Sequence, residues 1–364
     1  MADIGHVELA GSPAAMGEAF GEQCRDGARD LTQSRMDHLA EFVLRQDPGR
    51  DLSREDILDA ARRTVQAHQA HAPAIWAEFA GIARAANLTV EELLIGNGYT
   101  DFRDFVLLDG KATEAGAAHD GECSAFLAPG ECVDGQPVVG QTWDMNADAG
   151  EFCVFVHRKP DDAPETLGLT TTGCLCLMGM NSEGVSVGNT NLIPTDVRVG
   201  VNYLFTITRA LEQSSAEAAI DAIDATPRLS GHNYYAADGR TAINLETTGR
   251  RSVRTVVEGK PFVHTNHYLA APLIPLELRS QDLSNSRWRH ERLCADFEER
   301  RSGWTIEECR MQLADVTQAK CNAALGRDGG GSASLATVVQ CPGARTLYVC
   351  AGGAEPGNAE VLTL

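Results

Sequence analysis

Cys123 stands at a change of pattern. Before it runs a small-residue, charge-broken stretch, Lys111–His119, and then Asp120-Gly121-Glu122. After it come Ser124-Ala125-Phe126, which alternate as a strand does. A thiol reacts as its thiolate, so a nucleophilic cysteine needs a base. A Cys/His pair would have to recruit one of ten histidines, and no local signature says which. A different base exists if the Glu122–Cys123 bond is cut. The freed α-amine of Cys123, with a pKa of about 7.7–8, then sits beside its own thiol. It can take and return the proton, as in enzymes whose nucleophile is the N-terminal residue. The bland reading, a buried structural thiol, stays open for Cys123 as for the other ten cysteines.

Two more side chains could join such chemistry. Asp144 follows Gly140-Gln141-Thr142-Trp143 at an expected strand end. An aspartate there is a cap, an ion-pair partner or a site residue. Asn266 lies in Val263-His264-Thr265-Asn266-His267. A buried amide N–H can meet a developing oxyanion, although a strand-end asparagine is more often a turn residue. His264 and His267 are three apart but emerge from a strand, and no glutamate of the HExxH type accompanies them, so no metal is called for. The run Gly326-Arg327-Asp328-Gly329-Gly330-Gly331-Ser332 lacks the Lys-Ser/Thr of a phosphate loop and reads as a flexible connection. The eleven cysteines are odd in number and irregular in spacing, with no CxxC pair; most read as reduced, buried, small hydrophobes.

These residues need elements to hold them. The spacing predicts a helix over residues 13–45, with Ser12 as cap and Pro13 in the first turn. Gly17 and Gly21, one turn apart, would allow a close backbone approach. A second helix opens at Ser53 with Asp56 as capping-box partner, and Pro73 interrupts or ends it. Ile75–Ala86 continues as helix, and Thr89 with Glu92 opens another. From Cys123 the pattern is β. Strands are expected at 124–127, 137–143, 152–157, 166–171, 174–178 and 184–189, with Asn181-Ser182-Glu183-Gly184 as a turn. Helices follow at 201–213 and 214–223, the latter with a box Ser214…Glu217. Strands return at 233–236, 242–246, 252–256 and 261–264, then helices at 286–300 and 305–313, then strands at 335–340 and 346–350. Strands arrive as hairpins, so the sheets should be largely antiparallel and the class α+β.

The chain has 364 residues, enough for a large core. Its net charge of −20 offers no basic patch and argues against nucleic acid. The same field weakly favours neutral or cationic small molecules. No apolar run approaches the roughly 20 residues that span a bilayer, and no signal-peptide pattern opens the sequence. The expectation is a cytoplasmic protein without membrane or nucleic-acid partners.

Taken in order, Gly121-Glu122-Cys123-Ser124, Gly140-Gln141-Thr142-Trp143-Asp144, Gly179-Met180-Asn181-Ser182-Glu183-Gly184-Val185 and Val263-His264-Thr265-Asn266-His267 resemble the acyl-coenzyme A:6-aminopenicillanic acid acyltransferase family. This is the C45 group of N-terminal-nucleophile hydrolases. Glu8-Leu9-Ala10-Gly11-Ser12-Pro13 is similar to the family's opening, and Leu335–Val339 to a closing strand. The resemblance implies a four-layer αββα sandwich made as an inactive precursor. Self-cleavage before Cys123 would give a mostly helical chain, 1–122, and a catalytic chain, 123–364, held as one unit. By position, Cys123 would be nucleophile in both cleavage and turnover. Asn266 would be an oxyanion donor, and Asp144 would orient the α-amine or assist processing. Ser334 and His264 would border substrate.

Two departures stand out. Glu122 replaces the glycine that precedes the nucleophile in the founding enzyme. Ala333-Ser334 replaces its Ser-Arg pair, so a positive charge is missing there and a penicillin substrate is in doubt. The expected function is hydrolysis of a small N-acyl amine or N-acyl amino acid through a thioester acyl-enzyme, without a cofactor. Acyl transfer to an amine is the alternative. An unprocessed Cys/His hydrolase, with His119 or His264 as base, and a non-catalytic binding fold remain as other classes. The sequence does not determine the oligomeric state.

Overall fold

The computed structural model of the chain describes residues 4–108, 122–133, 135–279, 281–300, 302–327 and 331–364. The expected loop Lys111–His119, the Asp120-Gly121 approach to the cysteine and residues 328–330 of the glycine-rich run lie outside the described residues.

The N-terminal part contributes strand β1 (Gly5–Gly11) and helices α1 (Pro13–Gln23), α2 (Arg25–Gln46), α3 (Arg54–Arg62), α4 (Val65–His71), α5 (Pro73–Ala86), α6 (Val90–Asn97) and α7 (Tyr99–Leu108). Local chemistry sets most of these bounds. Ser12 accepts from the Ala15 N–H at the start of α1. Ser53 with Asp56, and Thr89 with Glu92, close reciprocal capping boxes on α3 and α6. The helix expected over 13–45 breaks at Cys24, whose φ of −111° and ψ of 18° are not helical. The break lets α1 lie on α5 while α2 packs on α6 and α7. At the α1–α5 crossing a Cβ on Gly17 would stand 1.9 Å from the Glu78 carbonyl oxygen, and one on Gly21 would stand 2.6 Å from that of Ile82. Only glycine permits this approach.

From Glu122 onward come β2 (Glu122–Ala128), β3 (Val138–Asn146), β4 (Cys153–Pro160), β5 (Thr166–Thr171), β6 (Met178–Asn181), β7 (Ser186–Leu192), α8 (Tyr203–Ala210), α9 (Ala216–Asp224), β8 (Gly231–Ala237), β9 (Ala242–Thr247), β10 (Ser252–Val256), β11 (Phe262–His264), α10 (Ser284–Glu298), α11 (Ile306–Ala314), α12 (Gln318–Ala324), β12 (Ser332–Cys341), β13 (Thr346–Ala351) and β14 (Glu360–Thr363). One sheet has the order β1-β4-β5-β6-β7-β8-β9-β10 and the other β11-β2-β3-β12-β13-β14. Every pairing between these strands is antiparallel except β1 with β4.

Strand alternation shows the layers. Ala125 and Leu127 of β2 join Val139, Tyr235 and Ala242 in one core between the sheets. Their neighbours Phe126 and Ala128 point the other way, to Leu293, Phe297, Trp304 and Leu313 of the α10–α11 layer. Tyr234 and Ala236 of β8 likewise face Ile220 and Ile223 of α9. The fold is an α+β sandwich with helix, sheet, sheet and helix layers. No helix among the described residues is long and apolar enough to cross a membrane.

Further expected details differ. The second helix, expected from Ser53 to Pro73, is broken at Arg63-Thr64 into α3 and α4. The strand expected at Cys174–Met178 starts only at Met178. Side chains take its backbone groups before a ladder can: Asn97 Oδ1 accepts from Leu175 N–H at 2.9 Å, and Thr208 Oγ1 from Cys176 N–H at 3.3 Å. The cap of α9 is Ser215, which accepts from Ala218 N–H at 3.2 Å, rather than Ser214. Strands β1 and β14 and helices α7 and α12 are additional to those expected.

Candidate active site

Strands β2 and β3 place Glu122 opposite Asp144 and Cys123 opposite Trp143. Directly opposed residues share a face, so Glu122 and Asp144 point together towards the α10–α12 layer. Cys123 points the other way, into the space between the sheets. Strand β11 pairs His264 with Ala125, which carries the turn after it to the start of β2. There the Cys123 N–H donates to Asn266 Oδ1 at 2.8 Å.

A buried arginine closes this arrangement. Arg289 of α10 is fully enclosed. Its Nη1 donates to the Cys123 carbonyl at 2.6 Å and to Ser124 Oγ at 2.8 Å. Its Nη2 donates to Asn266 Oδ1 at 2.9 Å, and its Nε to Asn285 Oδ1 at 2.6 Å. Two donors converge on one atom of the Asn266 amide, which fixes that atom as the oxygen. Asn266 Nδ2 in turn donates to the Asn191 carbonyl at 3.0 Å. The Asn266 backbone is tied to α10 through Ser286 Oγ at 2.8 Å.

Electrostatically, the helix side of β2 holds two acids and one guanidinium. Asp144 Oδ2 accepts from Thr142 Oγ1 at 3.2 Å and from Gln318 Nε2 at 3.1 Å, while Oδ1 is buried without a partner. Burial pushes the Asp144 carboxyl up to about 6, against the charge of Arg289 and the nearby Ser334 and Gln318 side chains. Glu122 Oε2 lies 3.7 Å from Arg289 Nη2 and has no hydrogen-bond partner. Burial raises its pKa too, opposed first by Arg289 and then by Gln318. The Cys123 thiol is pushed up to about 12 by burial and then by the Asp144 charge. In the uncut chain the thiol is therefore held protonated and shielded, at 6% exposure.

The other expected site residues fall in two places. Ser334 of β12 sits opposite Asp144, just before a register shift between Ser334 and Ala336. It accepts from Gln318 N–H at 3.1 Å and lines a 760 Å³ cleft with Thr317 and Arg327. The cleft thus reaches the outer side of the Asp144 network. His264 is enclosed, with its ring engaged by other groups. Its Nε2 meets Glu246 Oε1 at 3.0 Å, and its Nδ1 meets the Thr265 carbonyl at 2.7 Å and Thr190 Oγ1 at 3.0 Å. His119 lies outside the described residues. All eleven cysteines are free.

Sequence reasoning missed Arg289 and Gln318. No arginine stands at Ala333-Ser334, and the positive charge beside Glu122 and Asp144 is Arg289 of α10. A signal for it exists. Asn285, Ser286 and Arg289 share the buried face of α10 with Leu293 and Phe297, and polar residues on an apolar stripe need partners.

The profile of the family described as acyl-coenzyme A:6-aminopenicillanic acid acyl-transferase matches residues 131–356. The chain belongs to this acyl-transferase family. As a member it is an enzyme of the acyl-transferase kind. The stretch matched to the acyl-transferase family contains Asp144, His264, Asn266, Arg289 and Ser334, and begins beyond Cys123. Among solved structures, the chain is similar to a variant of conjugated bile acid hydrolase from Clostridium perfringens. Identity there is 14%, over 66% of this chain and 92% of that one, with a TM-score of 0.46. It is also similar to penicillin V acylase from Agrobacterium tumefaciens, at 12% identity over 66% and 86% of the two chains, with a TM-score of 0.45.

Proposed function

We propose that the protein is made as a precursor, cuts itself between Glu122 and Cys123, and then hydrolyses a small N-acyl amine or N-acyl amino acid. In the cut, Cys123 Sγ adds to the Glu122 carbonyl carbon. The C–N bond breaks as the proton given up by the thiol passes to the Cys123 nitrogen, leaving a thioester and a free α-amine. Water then adds to the thioester and releases the Glu122 carboxylate and the Cys123 thiol. In turnover the same thiol attacks the substrate amide, with the α-amine as base. The leaving amine takes the proton back, and water frees the acid.

The observation that carries this reading is the seating of the Cys123 nitrogen. Its N–H points at Asn266 Oδ1, so the amine freed by the cut starts with an acceptor already in place. Asp144 Oδ1 is buried and unpartnered, opposite the residue that would leave. Departure of Glu122 would open a path from Asp144 to that amine. Asn266 Nδ2 would turn from the Asn191 carbonyl to the oxyanion, a contribution of about 3–4 kcal/mol in comparable sites. The reading divides the chain into 1–122 and 123–364.

Acyl transfer is a second reading, favoured by the description of the family. Incubating the cut protein with an amide and a second amine distinguishes the two. Hydrolysis yields free acid as the main product, and transfer yields the new amide. A Cys/His mechanism through His264 is disfavoured by the engagement of both ring nitrogens with Glu246, Thr190 and Thr265.

A further inference from the structure

The peptide bond before Cys123 makes Glu122 the first acyl group that the sulfur would carry. Its side chain is nine-tenths buried on the helix side of β2, between Asp144, Arg289 and Gln318. We infer that the space filled by the Glu122 side chain becomes the acyl subsite of the cut enzyme, and that it takes an acyl group ending in a carboxylate at glutamate length: glutaryl or α-glutamyl. This rests on the self-cleavage reading and narrows its substrate.

Charge and length support it. In the intact chain two carboxyls, Glu122 and Asp144, face one guanidinium, Arg289; the farther Arg327 and Asp282 are an ion pair with each other. Both carboxyls are raised by burial, which the Arg289 charge only partly offsets. The cut adds a main-chain carboxylate to Glu122 and so a further negative charge beside Asp144, which favours expulsion of that chain end. It also takes the Glu122 carboxylate away from Arg289. With the α-amine neutral, as its role as base requires, Arg289 is left with Asp144 alone, and an acyl carboxylate would meet the guanidinium where Glu122 Oε2 does in the uncut chain. A glutaryl group has the carbon chain of a glutamyl residue from carbonyl to carboxylate, so its charge would fall where Glu122 Oε2 now faces Arg289. Turnover balances as for any acyl group: the thiol adds, the amine leaves with a proton, and water releases glutarate.

The test uses wild-type protein whose cleavage is checked by intact mass, with fluorogenic amides of 7-amino-4-methylcoumarin. The acyl groups are glutaryl, its neutral counterpart pentanoyl, and succinyl and adipoyl as shorter and longer acids. The expected result is kcat/KM for glutaryl at least about tenfold above pentanoyl, with succinyl and adipoyl both below glutaryl. Cut protein that prefers pentanoyl, or treats the two alike, overturns the inference and leaves the self-cleavage reading standing. If cut protein turns over none of them, alkylation of Cys123 by iodoacetamide decides. Slowing by millimolar glutarate and not by pentanoate supports the subsite, and no difference overturns it. Uncut wild-type protein overturns the underlying reading and the inference with it.

Discussion

Asp144 is a carboxyl kept away from water with one oxygen unmatched. Its pKa rises from 3.8 to about 6 on folding, so between those values the native state holds more protons than the unfolded one. Stability from this group is present below about pH 4 and is lost as pH rises to about 6, by roughly 3 kcal/mol. Asp144→Asn removes that loss. With Cys123→Ala in both proteins to keep them uncut, melting temperatures of the Asp144→Asn protein should exceed those of its Asp144 counterpart most at pH 7 and converge with them near pH 4; with Cys123 present, Asp144→Asn slows self-cleavage. An equal offset at both pH values would contradict the assignment. Asn266 carries a different burden, since Cys123, Arg289 and Asn191 all meet its amide. In the proposed mechanism Asn266→Ala lowers kcat by about 100- to 1,000-fold with little change in KM. Steady-state kinetics on cut protein checks this. Cys123, Asp144 and Asn266 were readable as candidates because each sits where a local pattern changes. Arg289 and Gln318 were not, because their role arises from contacts with β2 and β3 across more than a hundred residues of sequence. The chemistry of Glu122 was half readable. Its type was plain, but its opposition to Asp144 needed the register of β2 on β3.

At the scale of elements, what local chemistry fixes was legible. The capping boxes at Ser53 and Thr89 and the turn at Asn181–Gly184 depend on neighbours within a few residues. Elements defined by distant partners were not. β1 buries only Leu9 and exists through its parallel pairing with β4. β14 is largely exposed and pairs only with β13. The alternation at Cys174–Leu177 resembles a strand, but side chains of Asn97 and Thr208 had already claimed its amides. The α1–α5 crossing offers a direct test of packing. Gly17→Ala would drive a Cβ into the Glu78 carbonyl, a backbone atom that cannot swing aside. The expected cost is about 1–3 kcal/mol, the range for overpacking. A fall in the urea midpoint measures it, and an unchanged midpoint would mean that the crossing is looser than described.

For the whole molecule, the proposal requires two products that stay together. The contacts between them are deep. Arg158 of β4 forms a buried two-pronged pair with Glu78 of α5. His232 of β8 meets Asp101 of α7 at 2.6 Å, and Ser230 donates to Asp104 at 2.8 Å. β1 adds an N-terminal strand to the sheet built by the later part. Cut protein should therefore elute as one species in native gel filtration and separate only in denaturant. Glu78→Gln leaves Arg158 buried without its counter-charge and should cost about 3–5 kcal/mol, lowering the melting temperature of cut and uncut protein alike. The central claim is the scissile bond itself. Intact mass spectrometry of purified wild type beside Cys123→Ala tests it most directly. The account predicts two wild-type fragments, ending at Glu122 and beginning at Cys123, and a single 39.0 kDa chain for the variant. A wild-type protein that remains one 39.0 kDa chain while fully active would contradict it.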